Sequence, residues 1–254
     1  MIDLPSPNCD ARPCADGIAF NTLILHYTGM QTAQAAIDRL RDPEAKVSSH
    51  YVVDEDGTIY CLVPEEMRAY HAGISYWRGR RALNDVSIGI EIVNPGHEFG
   101  YRAFPQAQMD AVRELCLGIL ARHEIPPINV IAHSDIAPNR KQDPGEYFDW
   151  QNLAKAGIGI FPDGLIEAGA STEISQGSDR IAAKLLAQIG FEIDPQNFTS
   201  ETLKIALIAF QRHWRQFNIA GLPDQGTLKA LEIIRNSMGE RNATHHFGPP
   251  QSNP

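Results

Sequence analysis

Residues 130–150 read VIAHSDIAPNRKQDPGEYFDW, an apolar strand that ends on His133 and runs into a loop holding Asp135, Arg140, Lys141, Asp143, Pro138 and Pro144. Proline fixes φ and lacks a backbone N–H, so this loop cannot continue as helix, and its side chains are held in place rather than left to wander. A merely solvated loop needs no such stiffness. An ordered ligand does.

Working outward, the segment NTLILHYTG reads as a short buried strand that ends on a second histidine, His26, and is closed by Gly29. TAQAAIDRLRDP follows as a helix stopped before Pro43. SSHYVVDEDGTIYCLVP has the form of a hairpin, with Gly57 supplying a positive φ in the turn. In VSIGIEIVN the isoleucines 88, 90 and 92 alternate with Gly89, Glu91 and Val93, which puts Glu91 on the face opposite the isoleucines. The clearest helix is FPQAQMDAVRELCLGILARHEI, with Pro105 in its first turn and Val112, Leu115, Cys116, Ile119 and Leu120 along one face. INVIAHS is then the last strand of this part. Strands alternating with helices around an inserted hairpin predict an α/β fold with a mixed central sheet flanked by helices.

From residue 161 to 177 the composition turns to Gly, Ser, Ala and acid and reads as a linker. Three amphipathic helices follow, with Leu185, Leu186, Ile189, Leu203, Ala206, Ala209 and Phe210 as their core. The division expected is residues 1–160, linker 161–177, a small all-α three-helix domain at 178–238 and a disordered tail at 239–254. His245 and His246 belong to that tail.

The 254 residues carry a net charge of −9, 43% apolar and 21% charged residues. That is an ordinary soluble composition, and its sign argues against nucleic acid, which needs a basic surface. No apolar run approaches the roughly eighteen residues of a membrane span. The first residues lack a basic and then apolar signal-peptide pattern, so a cytoplasmic location is expected, or a periplasmic or envelope one if a leader has been removed. The four cysteines (Cys9, Cys14, Cys61, Cys116) have no C-x-x-C spacing; Cys116 fits a helix core, and Cys9 with Cys14 allows a pair in an oxidising compartment.

His26, His133 and Asp143 bring two imidazoles and a carboxylate to strand ends. This is a three-ligand set for a borderline-soft divalent ion with a fourth position for water. The competing reading keeps each histidine as a satisfied core or surface residue.

The blocks LILHYT, SSHYVVDEDGTIYCLVPEEMRAYHAG, SIGIEIVN and AHSDIAPNRKQDPG, in this order, resemble the zinc-dependent N-acetylmuramoyl-L-alanine amidases, a group that includes anhydro-muropeptide amidases, phage lysozymes and peptidoglycan recognition proteins. The resemblance runs from about Ser6 to Trp150. It implies one zinc ion per chain on His26, His133 and Asp143, Glu91 as acid–base group and Lys141 as stabiliser of the oxyanion. It implies a substrate groove lined by His71, and Arg140 facing a stem-peptide carboxylate. The implied reaction is hydrolysis of the amide between N-acetylmuramic acid, or its 1,6-anhydro form, and L-alanine, in peptidoglycan or muropeptides. A non-catalytic peptidoglycan-recognition protein is the alternative, and an unrelated zinc peptidase a third reading. His50 is expected to be structural and Asp135 to cap the next turn, whereas His97, His123 and His213 suggest no role.

The helical part resembles a three-helix peptidoglycan-binding module, through Phe210-Gln211 and the turn residues Asp224, Thr227 and Leu231. The Asp-Gly turn usual between its first two helices is replaced by DPQNFTSETL. On this division, deleting everything after Gly177 should spare activity on small muropeptides.

Overall fold

The computed structural model describes residues 1–13, 20–168 and 171–240. Its first part holds β1 (Ile2–Asp3), β2 (Cys9–Ala11), β3 (Thr22–Tyr27), α1 (Ala33–Arg41), β4 (Tyr51–Val53), β5 (Ile59–Cys61) and β6 (Met67–Ala69). A two-stranded ribbon, β7 (Tyr76–Trp77) and β8 (Arg80–Arg81), leads to β9 (Ser87–Ile92), α2 (Gly96–Phe99), α3 (Gln106–Arg122) and β10 (Val130–Ala132). The rest is helical: α4 (His133–Ile136), α5 (Trp150–Lys155), α6 (Leu165–Ala168), α7 (Ser178–Ile189), α8 (Ser200–Trp214) and α9 (Gln225–Glu240).

The central sheet has six strands in the order β1-β5-β4-β9-β3-β10. The β4–β5 hairpin is its antiparallel pair, and the other neighbours run parallel, so the expected mixed sheet is what forms. Leu23, Leu25, Ile88, Ile90 and Ile92 share one buried cluster with Val112, Cys116 and Ile119 of α3. Ile37 and Leu40 of α1 pack with Val52, Leu62 and Val63 in a second cluster. The period of two along β9 therefore leaves Ser87, Gly89 and Glu91 on the face opposite its isoleucines.

Two boundaries differ from the sequence reading. The last strand stops at Ala132 instead of running through His133, because the Asp135 carboxylate accepts the Ala132 N–H at 2.8 Å and turns the chain into α4. Pro105 caps α3 with an extended ψ of 147°, so the helix begins one residue later, at Gln106.

The stretch 161–177 is more than a connector. Leu165 is buried in α6, and the backbone carbonyls of Ser171 and Glu173 accept N–H groups of Gly226 and Gln225 at 2.9 and 2.6 Å, along the start of α9. The expected helical core (Leu185, Leu186, Ile189, Leu203, Ala206, Ala209, Phe210) is buried, but in one continuous cluster with the sheet side. Trp77 meets Phe191 edge to face with centroids 5.4 Å apart, and the Trp214 indole N–H donates to the Ile160 carbonyl at 2.9 Å. The module's signature residues are structural: Asp224 Oδ1 accepts the Thr227 N–H at 2.8 Å, and Gln211 donates to Thr227 Oγ1 at 2.9 Å. No helix among the described residues is long and apolar enough to cross a membrane. Cys14, and with it any Cys9–Cys14 pair, lies outside the described residues, as do His245 and His246.

Candidate metal centre and active site

β3 and β10 are parallel neighbours with Leu25 beside Ala132, so the next residue of each chain, His26 and His133, emerges at the same level of the sheet. In the other direction His26 pairs with Glu91 of β9. One row of the sheet thus delivers two imidazoles and a carboxyl, and the loop after α4 returns Asp143 to meet them. Ser134 N–H donates to the Asp143 carbonyl at 3.0 Å, which closes that loop.

His26 Nδ1 lies 2.9 Å from His133 Nδ1, and Asp143 Oδ2 lies 3.1 and 3.0 Å from the same two atoms. All three residues are buried. The protons on the two rings are fixed elsewhere. His133 Nε2 faces the Ala72 carbonyl at 3.2 Å and must donate to it, which leaves Nδ1 a bare lone pair. The Ser87 hydroxyl donates to Leu83 O at 2.7 Å, so it accepts from His71 Nε2 at 3.2 Å; His71 Nδ1 then accepts from His26 Nε2 at 3.0 Å, and His26 Nδ1 is bare as well. Two lone pairs and a carboxylate oxygen pointed at one another at 3 Å repel unless a cation lies among them. Tetrahedral zinc with bonds of 2.0–2.1 Å needs ligand atoms roughly 3.3 Å apart, close to the spacing present. The donor set fits a metal ion.

The electrostatics agree. Burial, then the neighbouring His133, hold the His26 imidazole down to about 4, so it is a neutral ligand at pH 7. Burial works to raise the Asp143 carboxyl, but the two imidazoles outweigh it and keep the group far below the usual carboxylate range. Glu91 goes the other way. Burial and the charge of Asp143 push its carboxyl well above the usual range, with Lys141 opposing. Glu91 Oε2 is buried without a hydrogen-bond partner, and Glu91, Lys141, His71, His133 and Asp143 line one cavity of about 180 Å³.

His71 was expected in the substrate groove. It does line the cavity, yet the residue is only 8% exposed and both its ring nitrogens belong to the relay that orients His26. Gly89 makes room for it: a Cβ there would lie 2.4 Å from His71 Nδ1. The Asn84 carboxamide oxygen accepts the N–H groups of His71 and Ala72 at 3.1 and 2.8 Å, fixing the backbone that faces His133. Arg140 is exposed, and its Nη2 donates to the carbonyls of Ala72 and Ile74, both at 2.6 Å. His50 is fully buried beside the hairpin, where its Nδ1 accepts the Gly89 N–H at 2.9 Å.

The sequence reading missed Ser87, Asn84 and His213. Ser87 was within reach, because the alternation that singles out Glu91 puts Ser87 on the same face. Asn84 and His213 act across turns or 78 residues of chain, and no local pattern marks them.

Residues 16–146 match the family model described as N-acetylmuramoyl-L-alanine amidase. The chain belongs to this family. It is 37% identical over 236 residues to the N-acetylmuramoyl-L-alanine amidase AmiD of Escherichia coli K12, covering 86% of this chain and 83% of that protein. The 1,6-anhydro-N-acetylmuramyl-L-alanine amidase AmpD of Salmonella typhimurium SL1344 is 34% identical over 164 residues, 58% of this chain and 84% of its own. Among solved structures, the complex of E. coli AmiD with anhydro-N-acetylmuramic acid-L-Ala-D-γ-Glu-L-Lys superposes with a TM-score of 0.78 at 37% identity, over 87% of this chain and 90% of that one. The protein is accordingly an N-acetylmuramoyl-L-alanine amidase, a hydrolase of the amide that joins the muramic acid to L-alanine. Glu91 and Lys141 line one cavity with His133 and Asp143 of the buried triad.

Proposed function

We propose that this amidase holds one zinc ion on His26 Nδ1, His133 Nδ1 and Asp143 Oδ2, and that it cleaves 1,6-anhydro-muropeptides. The observation that supports the metal reading is the convergence of three bare acceptor atoms whose protons are committed elsewhere. Zinc, when bound, lowers the pKa of a coordinated water to roughly 7 and so supplies the nucleophile at neutral pH.

The chain's own groups do the rest. Glu91, with its raised pKa and an unpartnered oxygen in the cavity, takes a proton from the attacking water and returns it to the amine nitrogen of L-alanine as the carbonyl–nitrogen bond breaks. The Lys141 ammonium stabilises the negative charge that develops on the lactyl carbonyl oxygen, worth on the order of 3 kcal/mol. His71 keeps His26 in its metal-binding tautomer while its edge lines the groove. Arg140 ties the 72–74 loop with one nitrogen and presents the outer edge of its fork to a carboxylate of the stem peptide.

The names of the relatives support the substrate: AmpD is a 1,6-anhydro amidase, and AmiD is seen with an anhydro-muramyl tripeptide. A complete ligand set beside Glu91 favours the enzyme over the non-catalytic recognition protein. The test is mass spectrometry of products from soluble anhydro-muropeptide and from whole sacculi, with metal content measured on the same sample. One zinc per chain and release of free stem peptide from the soluble substrate are expected. A protein free of zinc after incubation with the ion, or one that cuts ordinary peptides lacking the sugar, would refute the reading.

A further inference from the structure

The carboxyl-terminal end of α8 touches two of the three segments that supply a metal ligand and is linked through side chains to the third. His213 Nδ1 donates to Asp135 Oδ2 at 2.7 Å, and the same oxygen accepts the Ala132 N–H that starts the turn bearing His133. Both partners of this hydrogen bond are buried, and the His213 ring stacks on Trp150 and Trp214 with centroids 3.8 and 3.6 Å away. Arg212 reaches the loop of Asp143 on both sides: Nη2 donates to Gln142 Oε1 at 2.9 Å, and Nε to Glu146 Oε2 at 3.3 Å. Gln216, just beyond the helix, donates to the Phe148 carbonyl at 2.6 Å.

The third segment is joined through Glu146. His97 Nε2 donates to that carboxylate at 3.1 Å, so His97 Nδ1 accepts the Tyr27 hydroxyl at 3.0 Å, and Tyr27 follows His26 in β3. Three bare acceptors 3 Å apart push on each other whenever the cation is away, and only the segments that bear them can resist. Those segments are anchored from outside by α8.

The geometry points to α8 as a positioning element of the metal centre, in which His213 and Arg212 hold the ligand-bearing segments at the spacing an ion requires, so that the helical part belongs to the metal site and is more than an appended wall-binding module. This rests on the zinc assignment of His26, His133 and Asp143. Neither residue touches substrate or metal. Outer partners that orient ligands typically contribute 10- to 100-fold to metal affinity.

The experiment measures the zinc dissociation constant by competition with a chromogenic chelator, and the visible d–d spectrum of the cobalt(II) form, on the full chain. Arg212→Ala removes a half-buried side chain and its two bonds to the Asp143 loop. His213→Ala removes the buried donor, and His213→Asn returns an N–H near the place of Nδ1. Ile234→Ala, buried in α9 away from these loops, is the control for lost stability alone. Arg212→Ala and His213→Ala are expected to weaken zinc binding about 10-fold or more and to alter the cobalt spectrum. His213→Asn should recover most of the affinity, and Ile234→Ala should lower Tm while leaving the dissociation constant unchanged. Wild-type affinity in both α8 variants, or equal weakening in Ile234→Ala, overturns the inference while the zinc assignment stands. A wild type that binds no zinc overturns both.

Discussion

Glu91 shows at the scale of one residue how the same side chain type takes opposite roles in one cavity. Its carboxyl is pushed toward the protonated form by burial and by Asp143, whereas Asp143 is held ionised by two imidazoles. A carboxyl raised by burial can both accept and return a proton, whereas one held ionised serves to hold a cation. Glu91→Gln keeps the shape and removes the base, so kcat should fall by about 10²-fold or more with zinc content unchanged. Parallel metal analysis and single-turnover kinetics on the variant check this, and a wild-type rate would end the acid–base assignment. The residue was legible in the sequence because alternation along β9 sets it opposite the isoleucines. Its elevated pKa was not, since that depends on burial in the folded cavity and on a loop 52 residues away brought in by the fold.

Among the elements, strands were easier to read than what happens at their ends. The hairpin and β9 follow from period-two alternation and a glycine turn, and the sheet took the expected form. The end of β10 depended on the Asp135 side chain competing for a backbone N–H, a choice between strand and helical turn that hydrophobicity alone does not record. β9 also does something no pattern announces: Gly89 opens a notch in which the His71 ring crosses the strand. An added methyl cannot be absorbed there without moving His71 off His26. Gly89→Ala is therefore expected to weaken zinc binding and to lower turnover in proportion, with the loss visible as a changed cobalt(II) spectrum before any loss of helix by circular dichroism. An unchanged spectrum and affinity would show that the notch is not needed.

Across the whole molecule, one buried cluster spans the division that composition suggests. A Gly- and Ser-rich stretch marks 161–177, but the packing across it is continuous, and Trp77, Trp150 and Trp214 are buried where the sheet side meets the helices. Losing the partners of one such indole costs about 3–5 kcal/mol, a large share of the 5–15 kcal/mol typical of a domain. Deletion after Gly177 should then lower Tm steeply and abolish hydrolysis even of small muropeptides, the reverse of the expectation from composition; a truncated chain with full-length Tm and turnover would restore the two-domain reading.

Stability should also depend on pH through His50. Burial, with Arg12 adding, holds its pKa to about 3 in the folded chain against 6.5 when unfolded. Below pH 6.5 the unfolded chain gains a proton that the folded one refuses, so the contribution is whole above 6.5 and is lost as pH falls toward 3. The slope reaches about 1.4 kcal/mol per pH unit for this group alone. Chelator-treated protein melted at intervals from pH 8 to 4.5 should show Tm falling only below about 6.5, and a flat profile would contradict the burial of a neutral ring.

The three tryptophans give the amidase an intrinsic optical gauge. Trp77 abuts Phe191, while Trp150 and Trp214 both stack on His213, so every indole in the chain reports on one seam. Parting of that seam would wet all of them at once and shift the emission to the red, as global unfolding would, and a melt monitored by circular dichroism separates the two. Fluorescence followed during zinc withdrawal would then register in real time whether emptying the centre loosens the grip of α8.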